Sequence, residues 1–358
     1  MTVDSVGIPA GITGVTPQWL TSALRASGTV ADTAVVTGVG AERIAEDSGF
    51  SSLLYRLRIT GSAGLPPTAI VKLPAESEAR GAMEMLSGYR RETAFYQTVA
   101  GRAPLATPQV YAAVTADADF VLVLEDLAHW HNADHLAGLT MPQARLAIGA
   151  LAGLHAWSVT GADPGTLEAF PSLDTPVVRD VLVAAFGIGW QMYRDKSTAA
   201  VPAGVARFAE RYSELAPQAL AALSERRMLI HGDIRADNMF FLGDELKVVD
   251  FQFASRGAGI ADIGYLVSQG LPTPVRRGHD EELVGDYLAQ LAAHGVTDYG
   301  FDEAWRHYRL SVGYLLLLPV LALIGWDTLP QRSRDLCLTL IDRAVATIDD
   351  VDAVEAFG

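Results

Sequence analysis

Cysteine and basic residues are scarce in this sequence. Cys337 is the only cysteine among 358 residues, which excludes an intrachain disulfide and fits a reducing compartment. The 27 lysines and arginines are outnumbered by 42 aspartates and glutamates, and the formal net charge is -15. Sequence-independent binding to nucleic acids or anionic membranes depends on basic residues. We therefore expect a cytoplasmic protein without nucleic-acid or membrane partners.

A long apolar run is also missing, and we expect no secretory signal peptide. The most apolar stretch, residues 313–326, is shorter than the ~20 residues that a membrane-spanning helix needs, and Pro319 interrupts it. The run from Met1 to Ser5 lacks the basic and apolar regions of a secretory signal. We find no internal repeat and no low-complexity segment. The apolar stretch is therefore expected to be a buried helix.

The remaining pattern predicts an α+β fold. Hydrophobic residues make up 50% of the chain, enough for a large core. Short apolar segments bounded by turn residues predict antiparallel strands in the N-terminal part, and helical periodicity dominates the rest. The predicted strands are residues 33–44, 52–59, 68–73, 109–114 and 120–124. The predicted helices are residues 80–99, 142–157, 201–223, 280–294, 302–326 and 332–349, besides one that begins at Thr16 and Pro17.

This order of elements predicts two lobes with a ligand cleft at the hinge. The N-terminal lobe is predicted over 1–124, the hinge over 125–128, and the helical C-terminal lobe over 129–358.

Three oxygen-bearing side chains surround a predicted β-hairpin late in the chain. Residues 239–241 and 246–249 form its strands. An antiparallel hairpin brings its outer ends together, so Asn238 and Asp250 are expected side by side. Both offer oxygen ligands of the kind that Mg²⁺ takes together with substrate phosphates. Asp233 lies five residues before Asn238 and is therefore available to contact a substrate hydroxyl group. The alternative is a buried strand pair with incidental polar caps.

A lysine and a glutamate lie at apolar positions of neighbouring elements. Lys72 ends an apolar strand segment and shares a face with Ile70. Glu92 lies on the apolar stripe of the helix over 80–99. A charge among apolar neighbours needs a counter-charge, so we predict that these two residues pair. The alternatives are a strand-end lysine that reaches solvent and a surface glutamate.

The spacing of these residues resembles the catalytic segments of protein kinases. The run from His231 to Asp233, with Asn238, resembles the catalytic loop, and the run from Asp250 to Gln252 resembles the metal-binding segment. The glycine within the first run and the glutamine that ends the second make the chain more similar to the aminoglycoside phosphotransferase-like family, and within it to the ecdysteroid kinase-like group. This resemblance implies a bilobal protein kinase-like fold, with a small antiparallel-sheet N-terminal lobe containing one helix and a larger, mostly helical C-terminal lobe. It also implies a kinase that uses ATP and Mg²⁺ to phosphorylate a hydroxyl of a small molecule.

The same resemblance implies roles for individual residues. Asp233 would accept or orient the proton of the acceptor hydroxyl, and Arg235 would meet the γ-phosphate, although a solvated loop arginine is the alternative. Lys72, held by Glu92, would bind the α- and β-phosphates. The remaining nucleotide contacts would come from a short loop and from the hinge backbone, namely Ser48, Gly49, Ser51, Ser52, Glu125 and Leu127.

Two residues are predicted to hold backbone groups in place. His231 would orient the catalytic loop through hydrogen bonds, and Asp262 would cap a helix from about residue 263.

Several alternatives stay open. The loop around Gly49 is also compatible with a simple hairpin turn. The chain could instead be a catalytically silent nucleotide-binding module, or a kinase specific for aminoglycosides. The acceptor, the choice between ATP and GTP, and the oligomeric state are left undetermined.

Two further groups of residues have more than one interpretation. Trp190 and Tyr193, with the apolar stretch, hint at a lipophilic acceptor, but a core would use the same residues. His129, His131 and His135 could bind a transition metal, although the segment is also typical of an exposed connection.

Overall fold

The structure, a computed structural model, describes residues 7–45, 52–76, 79–116 and 119–358. These residues form two compact units. The first comprises the described residues up to Arg102, those between Thr107 and Trp130, and Val249–Phe253. The second comprises Ala103–Ala106, His131–Val248 and Ala254–Gly358. The limits predicted from the sequence, at residues 124 and 128, stay predictions.

An antiparallel sheet forms the first unit. Its strands are β1 (Val36–Ile44), β2 (Ser52–Gly61), β3 (Thr68–Pro74), β4 (Val110–Ala116) and β5 (Asp119–Leu124). Their spatial order is β1-β2-β3-β5-β4, and every neighbouring pair is antiparallel. The helices of this unit are α1 (Pro17–Ala26), α2 (Ala79–Met85) and α3 (Gly88–Thr98). All five predicted strands are therefore present, with ends shifted by a few residues.

The first helix begins where the sequence predicts. The Thr16 hydroxyl accepts a hydrogen bond from the Trp19 N–H at 3.2 Å, and proline occupies the first helical position. Leu20 and Leu24 on its apolar face are fully buried in one core cluster with Val123 of β5. Burial of this face holds α1 on the sheet.

The helix predicted over 80–99 is two helices. Between α2 and α3, Ser87 has a φ of 55°, in the left-handed region that an α-helix cannot continue through. No proline marks this break, and the apolar periodicity runs across it. Periodicity alone therefore predicted one helix where there are two.

The second unit is mostly helical. Its α-helices are α4 (Met141–Thr160), α5 (Ala184–Lys196), α6 (Ala203–Glu210), α7 (Tyr212–Leu223), α8 (Ile260–Tyr265), α9 (Thr273–Arg276), α10 (Asp280–Ala293), α11 (Phe301–Leu315), α12 (Leu317–Ala322) and α13 (Gln331–Asp350). The helix predicted over 201–223 is divided into α6 and α7, and the one over 302–326 into α11, α12 and a 3₁₀ segment. Helix α5 and a π-helical turn, Leu266–Gly270, were not predicted.

Two small sheets accompany these helices. The strands are β6 (His131–Asn132), β7 (Met228–Ile230), β8 (Met239–Leu242), β9 (Glu245–Val248) and β10 (Ser255–Gly257). One sheet has the order β6-β8-β9, and the other pairs β10 with β7. They hold the segments on either side of the predicted catalytic loop.

The apolar stretch lies in α11, α12 and the segment after them. The region Phe301–Thr328 is long and apolar enough to cross a membrane by length and composition alone. Within its most apolar window, however, 61% of the residues are buried inside the protein. Tyr314, for example, is buried, and its carbonyl accepts a hydrogen bond from the Tyr212 hydroxyl at 2.5 Å. Such burial is typical of a core helix, as the sequence predicts.

The aromatic residues that hinted at a lipophilic acceptor also belong to the core. Trp190 and Tyr193 are only 6% and 1% exposed. Phe186 stacks on Tyr212 with ring centroids 3.7 Å apart, and Trp190 packs parallel to Phe186. The Tyr193 hydroxyl donates to Asp342 at 2.7 Å. Core packing therefore explains these residues, and they carry no information about the acceptor.

Candidate active site

Lys72 lies between two carboxylates in the first unit. Its Nζ is 2.8 Å from Glu92 Oε1 and 2.8 Å from Asp250 Oδ1. The side chains of Lys72 and Glu92 are 6% and 1% exposed, and that of Asp250 is 22% exposed. Strand β3 supplies the lysine, α3 supplies the glutamate, and Asp250 follows β9. The ion pair expected from the sequence is present, and Asp250 is its third member.

Burial and charge act in opposite directions in this cluster. Burial lowers the pKa of the Lys72 ammonium, but the charges of Asp250 and Glu92 outweigh it, so this pKa lies above its ordinary value. Burial raises the pKa of Glu92 to about 7, with Lys72 opposing the rise and Asp250 adding to it. Lys72 is therefore charged throughout the neutral range, and Glu92 is a carboxyl that is readily protonated.

Asp250 has an unusual backbone conformation. Its φ is 68°, in the left-handed region that few side chains other than Asp and Asn adopt. The next residue, Phe251, is fully buried and stacks on Phe95 of α3 with centroids 3.5 Å apart. Tyr96 meets the same ring edge-on at 5.7 Å. Aromatic packing against α3 therefore holds the strained residue in place.

The predicted phosphate loop is described only at its end. Ser48, Gly49 and Ser51 lie outside the described residues. Ser52 is the first residue of β2, pairs with Pro74 of β3 and is buried. The phosphate contacts of this loop stay a prediction.

The predicted hinge is fixed by hydrogen bonds within the first unit. The Glu125 N–H donates to the Gln109 carbonyl at 2.9 Å, and the Glu125 carboxylate accepts from the Gln109 N–H at 2.9 Å. The Leu127 carbonyl accepts from the Trp130 N–H at 2.8 Å. Two of the backbone groups expected to meet adenine therefore have partners within the protein, and the adenine contacts stay a prediction.

The loop from Asp233 to Asn238 lies in the second unit, directly before the β8–β9 hairpin. Met239 is opposite Val248 in this hairpin, as its predicted strands require. The Asn238 side-chain nitrogen donates to the Asp233 carbonyl at 2.9 Å. Because the amide nitrogen is used in this way, the amide oxygen of Asn238 is the atom suited to a cation.

Arg235 and Tyr265 contact the Asp233 carboxylate. Arg235 Nε is 3.3 Å from Asp233 Oδ1, and Arg235 Nη1 is 3.5 Å from Asp237 Oδ2. The Tyr265 hydroxyl hydrogen-bonds to the same carboxylate, and burial together with this negative charge raises the pKa of Tyr265 well above its ordinary value. The γ-phosphate contact of Arg235 stays a prediction. Tyr265 was missed because no local pattern distinguishes it from other core tyrosines.

Asp262 anchors the start of this loop, and the prediction that it caps a helix is wrong. Helix α8 begins at Ile260, so Asp262 lies within its first turn. Asp262 Oδ2 accepts from the His231 N–H at 2.7 Å, and Oδ1 accepts from the Gly232 N–H at 2.9 Å. His231 Nδ1 accepts in turn from the Asp233 N–H at 3.1 Å. The carboxylate of Asp262 thus satisfies loop amides rather than the amides at a helix end.

A buried network of hydrogen-bonded side chains holds Asp262. His155 Nε2 is 3.1 Å from Asp262 Oδ2, and His155 Nδ1 is 3.0 Å from the Tyr287 hydroxyl. Burial raises the pKa of Asp262, but its bonds to His155 and the loop amides outweigh this, and the pKa lies below its ordinary value. A Cβ at Gly259 would overlap the Tyr287 hydroxyl and the His155 ring, so any larger residue there would displace one of these side chains. The sequence did not predict this network of side chains because its residues lie far apart in the sequence.

The three clustered histidines are not arranged as a three-ligand metal site. Among the described residues, no group of three or more His, Cys, Asp or Glu side chains is arranged to hold a metal ion. His129 and His131 are exposed, whereas His135 is buried and its Nδ1 accepts from the Ala236 N–H at 2.6 Å. This buried histidine contacts the predicted catalytic loop.

Several solved structures share this fold. A choline/ethanolamine kinase family protein from Mesorhizobium loti is 19% identical, with a TM-score of 0.52 over 94% of this chain and 98% of that one. An ethanolamine kinase from Plasmodium vivax is 11% identical, with a TM-score of 0.54 over 86% and 82%. The GDP complex of aminoglycoside 2′-phosphotransferase-IIIa is 14% identical, with a TM-score of 0.53 over 93% and 99%. These likenesses confirm the predicted α+β, protein kinase-like fold class.

The sequence comparisons give a more specific result. A search of the curated proteins finds no match. The sequence matches the ecdysteroid kinase-like family over residues 47–297, which is more than half of the chain. The matched region includes Lys72 and Glu92, the loop from His231 to Asn238, and Asp250. This chain therefore belongs to the ecdysteroid kinase-like family.

Proposed function

We propose that this chain is a kinase that uses ATP and Mg²⁺ to transfer the γ-phosphoryl group to a hydroxyl of a small molecule. The observation that carries the proposal is the buried position of Lys72 between Glu92 and Asp250. Apolar residues of similar size usually stabilise a core as well as buried ions do, so stability alone does not explain the cluster. An ammonium held at a set position suits the α- and β-phosphates of a nucleotide.

The oxygens of Asn238 and Asp250 suit the metal. Mg²⁺ takes oxygen ligands and keeps substrate phosphates in its shell. The Asp250 side chain is 22% exposed, so a cation can reach it, and the Asn238 amide is oriented by its bond to the Asp233 carbonyl. When bound, the metal would neutralise charge on the transferred phosphoryl group.

Asp233 is proposed to accept or orient the proton of the acceptor hydroxyl. Its carboxylate is held by Arg235 and Tyr265, and the loop that carries it is held by Asp262. Phosphoryl transfer depends on positioning and charge neutralisation more than on covalent chemistry, which such a braced carboxylate supplies. Proteins of similar fold are named as kinases of choline or ethanolamine and as an aminoglycoside phosphotransferase. On the basis of these names, we propose that the acceptor of this chain is also a small molecule with a hydroxyl group.

A nucleotide-consumption screen tests this proposal. The acceptors would be hydroxylated metabolites, sterol-like alcohols, hydroxy acids and aminoglycosides. With an active acceptor, Asp233→Asn and Asp250→Asn should each lower kcat by about 10²–10⁴-fold. Asp244→Asn, at the exposed hairpin turn, is the matched control and should leave kcat unchanged. Full activity in both site variants would refute the proposal, and Mg·ATP binding without transfer to any acceptor or to water would identify a silent nucleotide-binding module.

A further inference from the structure

A short segment of the second unit contacts the backbone of the catalytic loop. We name residues 132–136 the connector. The Asn132 side-chain nitrogen donates to the Asp237 carbonyl at 2.8 Å and to the Met239 carbonyl at 3.1 Å. Strand β6, which ends at Asn132, also pairs with β8. The connector is therefore fastened to the chain on both sides of Asn238.

The most specific contact of the connector is made by His135. Ala236 begins a 3₁₀ turn, Ala236–Asn238, so its N–H has no acceptor within that turn. Ala236 is fully buried, where an unpaired N–H is costly. His135 Nδ1 accepts this N–H at 2.6 Å. Acceptance requires the Nδ1 lone pair, so His135 is the neutral tautomer with its proton on Nε2.

The surroundings of His135 keep it neutral. Burial lowers its pKa well below the ordinary value, and the positive charges of Arg235 and Arg343 lower it further. A protonated imidazole would turn an N–H towards the Ala236 N–H and lose the hydrogen bond. The acceptor is therefore maintained at neutral pH.

Arg343 of α13 fixes the connector from its other side. Its Nη1 donates to the His135 carbonyl at 2.9 Å and to the Gln269 carbonyl at 3.1 Å, and its Nη2 donates to the Leu136 carbonyl at 2.6 Å. The side chain is buried, and a planar guanidinium can serve several carbonyls at once. The backbone of His135 is thus held by one arginine while its ring holds Ala236.

We propose that His135 is a positioning residue for phosphoryl transfer. By holding the Ala236 N–H, it sets the geometry of the segment that joins Asp233 to Asn238, and Arg343 keeps His135 in place. This inference rests on the proposed kinase function. Small displacements of groups that position a substrate or metal are costly, since a shift of about 1 Å can lower a rate about a hundredfold.

Two substitutions separate the hydrogen bond from the bulk of the side chain. Asparagine places its oxygen near the position of Nδ1, whereas glutamine places its polar group near that of Nε2. His135→Asn should keep kcat within about threefold of wild type, and His135→Gln should lower it about 10- to 100-fold with the KM for ATP unchanged. The same two changes at exposed His129 should have no effect. Equal kcat values for His135→Asn and His135→Gln would overturn the proposal.

Hydrogen exchange at the Ala236 amide gives a measurement that does not depend on activity. We expect protection in wild type and in His135→Asn, and exchange at least about tenfold faster in His135→Gln. Equal protection in all three proteins would overturn the assignment. If this pattern holds while wild type transfers phosphate to no acceptor, the kinase function fails and the hydrogen bond stands.

Arg343→Lys tests the same inference with His135 intact. Lysine keeps the charge but lacks the planar fork, so we expect a fall in kcat and faster exchange at Ala236. Both residues act through one contact. The fold decrease in kcat of the double variant, His135→Gln with Arg343→Lys, should therefore be smaller than the product of the fold decreases in the two single variants. Fully multiplicative effects would contradict the coupling.

Discussion

Replacing Lys72 by methionine tests whether charge holds the buried cluster together. The change keeps an unbranched side chain but removes the ammonium that lies 2.8 Å from both Glu92 and Asp250. Glu92, whose side chain is 1% exposed, then has no counter-charge. Removing one partner of a buried ion pair costs about 3–5 kcal/mol. We expect a loss of this size in the free energy of unfolding at about pH 8.5.

The loss should be smaller at lower pH. Burial raises the pKa of Glu92 to about 7 in the wild type, even though Lys72 opposes the rise. A carboxyl whose folded-state pKa is raised contributes stability below its unfolded-state pKa and loses it as the pH rises through the folded-state value. Without Lys72 the folded-state pKa of Glu92 is higher still. The free energy of unfolding of the variant therefore continues to fall above pH 7, where that of the wild type has levelled off. The difference between the two proteins should therefore grow by about 1.4 kcal/mol per pH unit, or about 2 kcal/mol between about pH 7 and about pH 8.5.

Urea unfolding, followed by far-UV circular dichroism and tryptophan fluorescence at both pH values, measures this effect. Arg58→Met is the matched control because Arg58 pairs with Glu42 in the same sheet, with the two side chains 77% and 60% exposed. Its effect should stay within about 0.5 kcal/mol and should not depend on pH. A Lys72→Met effect that is equal at the two pH values, or no larger than the control, would refute the reasoning.

Two further changes test the contacts around Asp262. Gly259→Ala places a methyl group 2.2 Å from the Tyr287 hydroxyl, so we expect a loss of about 1–3 kcal/mol in urea unfolding. Gly149→Ala, in α4 with open space around it, should instead stabilise by up to about 1 kcal/mol, and equal effects would contradict the packing argument. Asp262→Asn presents an amide nitrogen to one of two loop N–H groups, so we expect a loss of about 1–3 kcal/mol and, in a transfer assay, a kcat at least about tenfold lower. An unchanged kcat in the folded Asp262→Asn variant would show that these bonds do not position the loop.

The parts of the fold that the sequence predicts are those set by local rules. Thr16 and Pro17 mark the start of α1, and a short apolar run bounded by turn residues marks β3. Turn residues mark the β8–β9 hairpin. The pairing of Lys72 with Glu92 was predictable because each charge lies on an apolar face of its own element. Such features need no knowledge of distant contacts.

Most of the structural features that the sequence did not predict depend on contacts between residues far apart in the chain. His155 and Asp262 are 107 residues apart, and His155 and Tyr287 are 132 apart. The sequence predicts a helix cap at Asp262 because aspartate next to an apolar run satisfies that local rule, whereas its partners are the backbone amides of His231 and Gly232. The break at Ser87 was not predicted because the apolar periodicity continues across the Ser87-Gly88 dipeptide, although this dipeptide is a turn signal.

The left-handed backbone at Asp250 also limits how this position can evolve. Among side chains other than glycine, aspartate and asparagine tolerate a positive φ best. Asparagine would keep the backbone shape and the stacking of Phe251 but would lose the charge that faces Lys72. Codons for the two residues differ by a single nucleotide. Under the proposed mechanism, a lineage can switch off phosphoryl transfer here while it keeps the fold, so the residue at this position marks which descendants have kept the reaction.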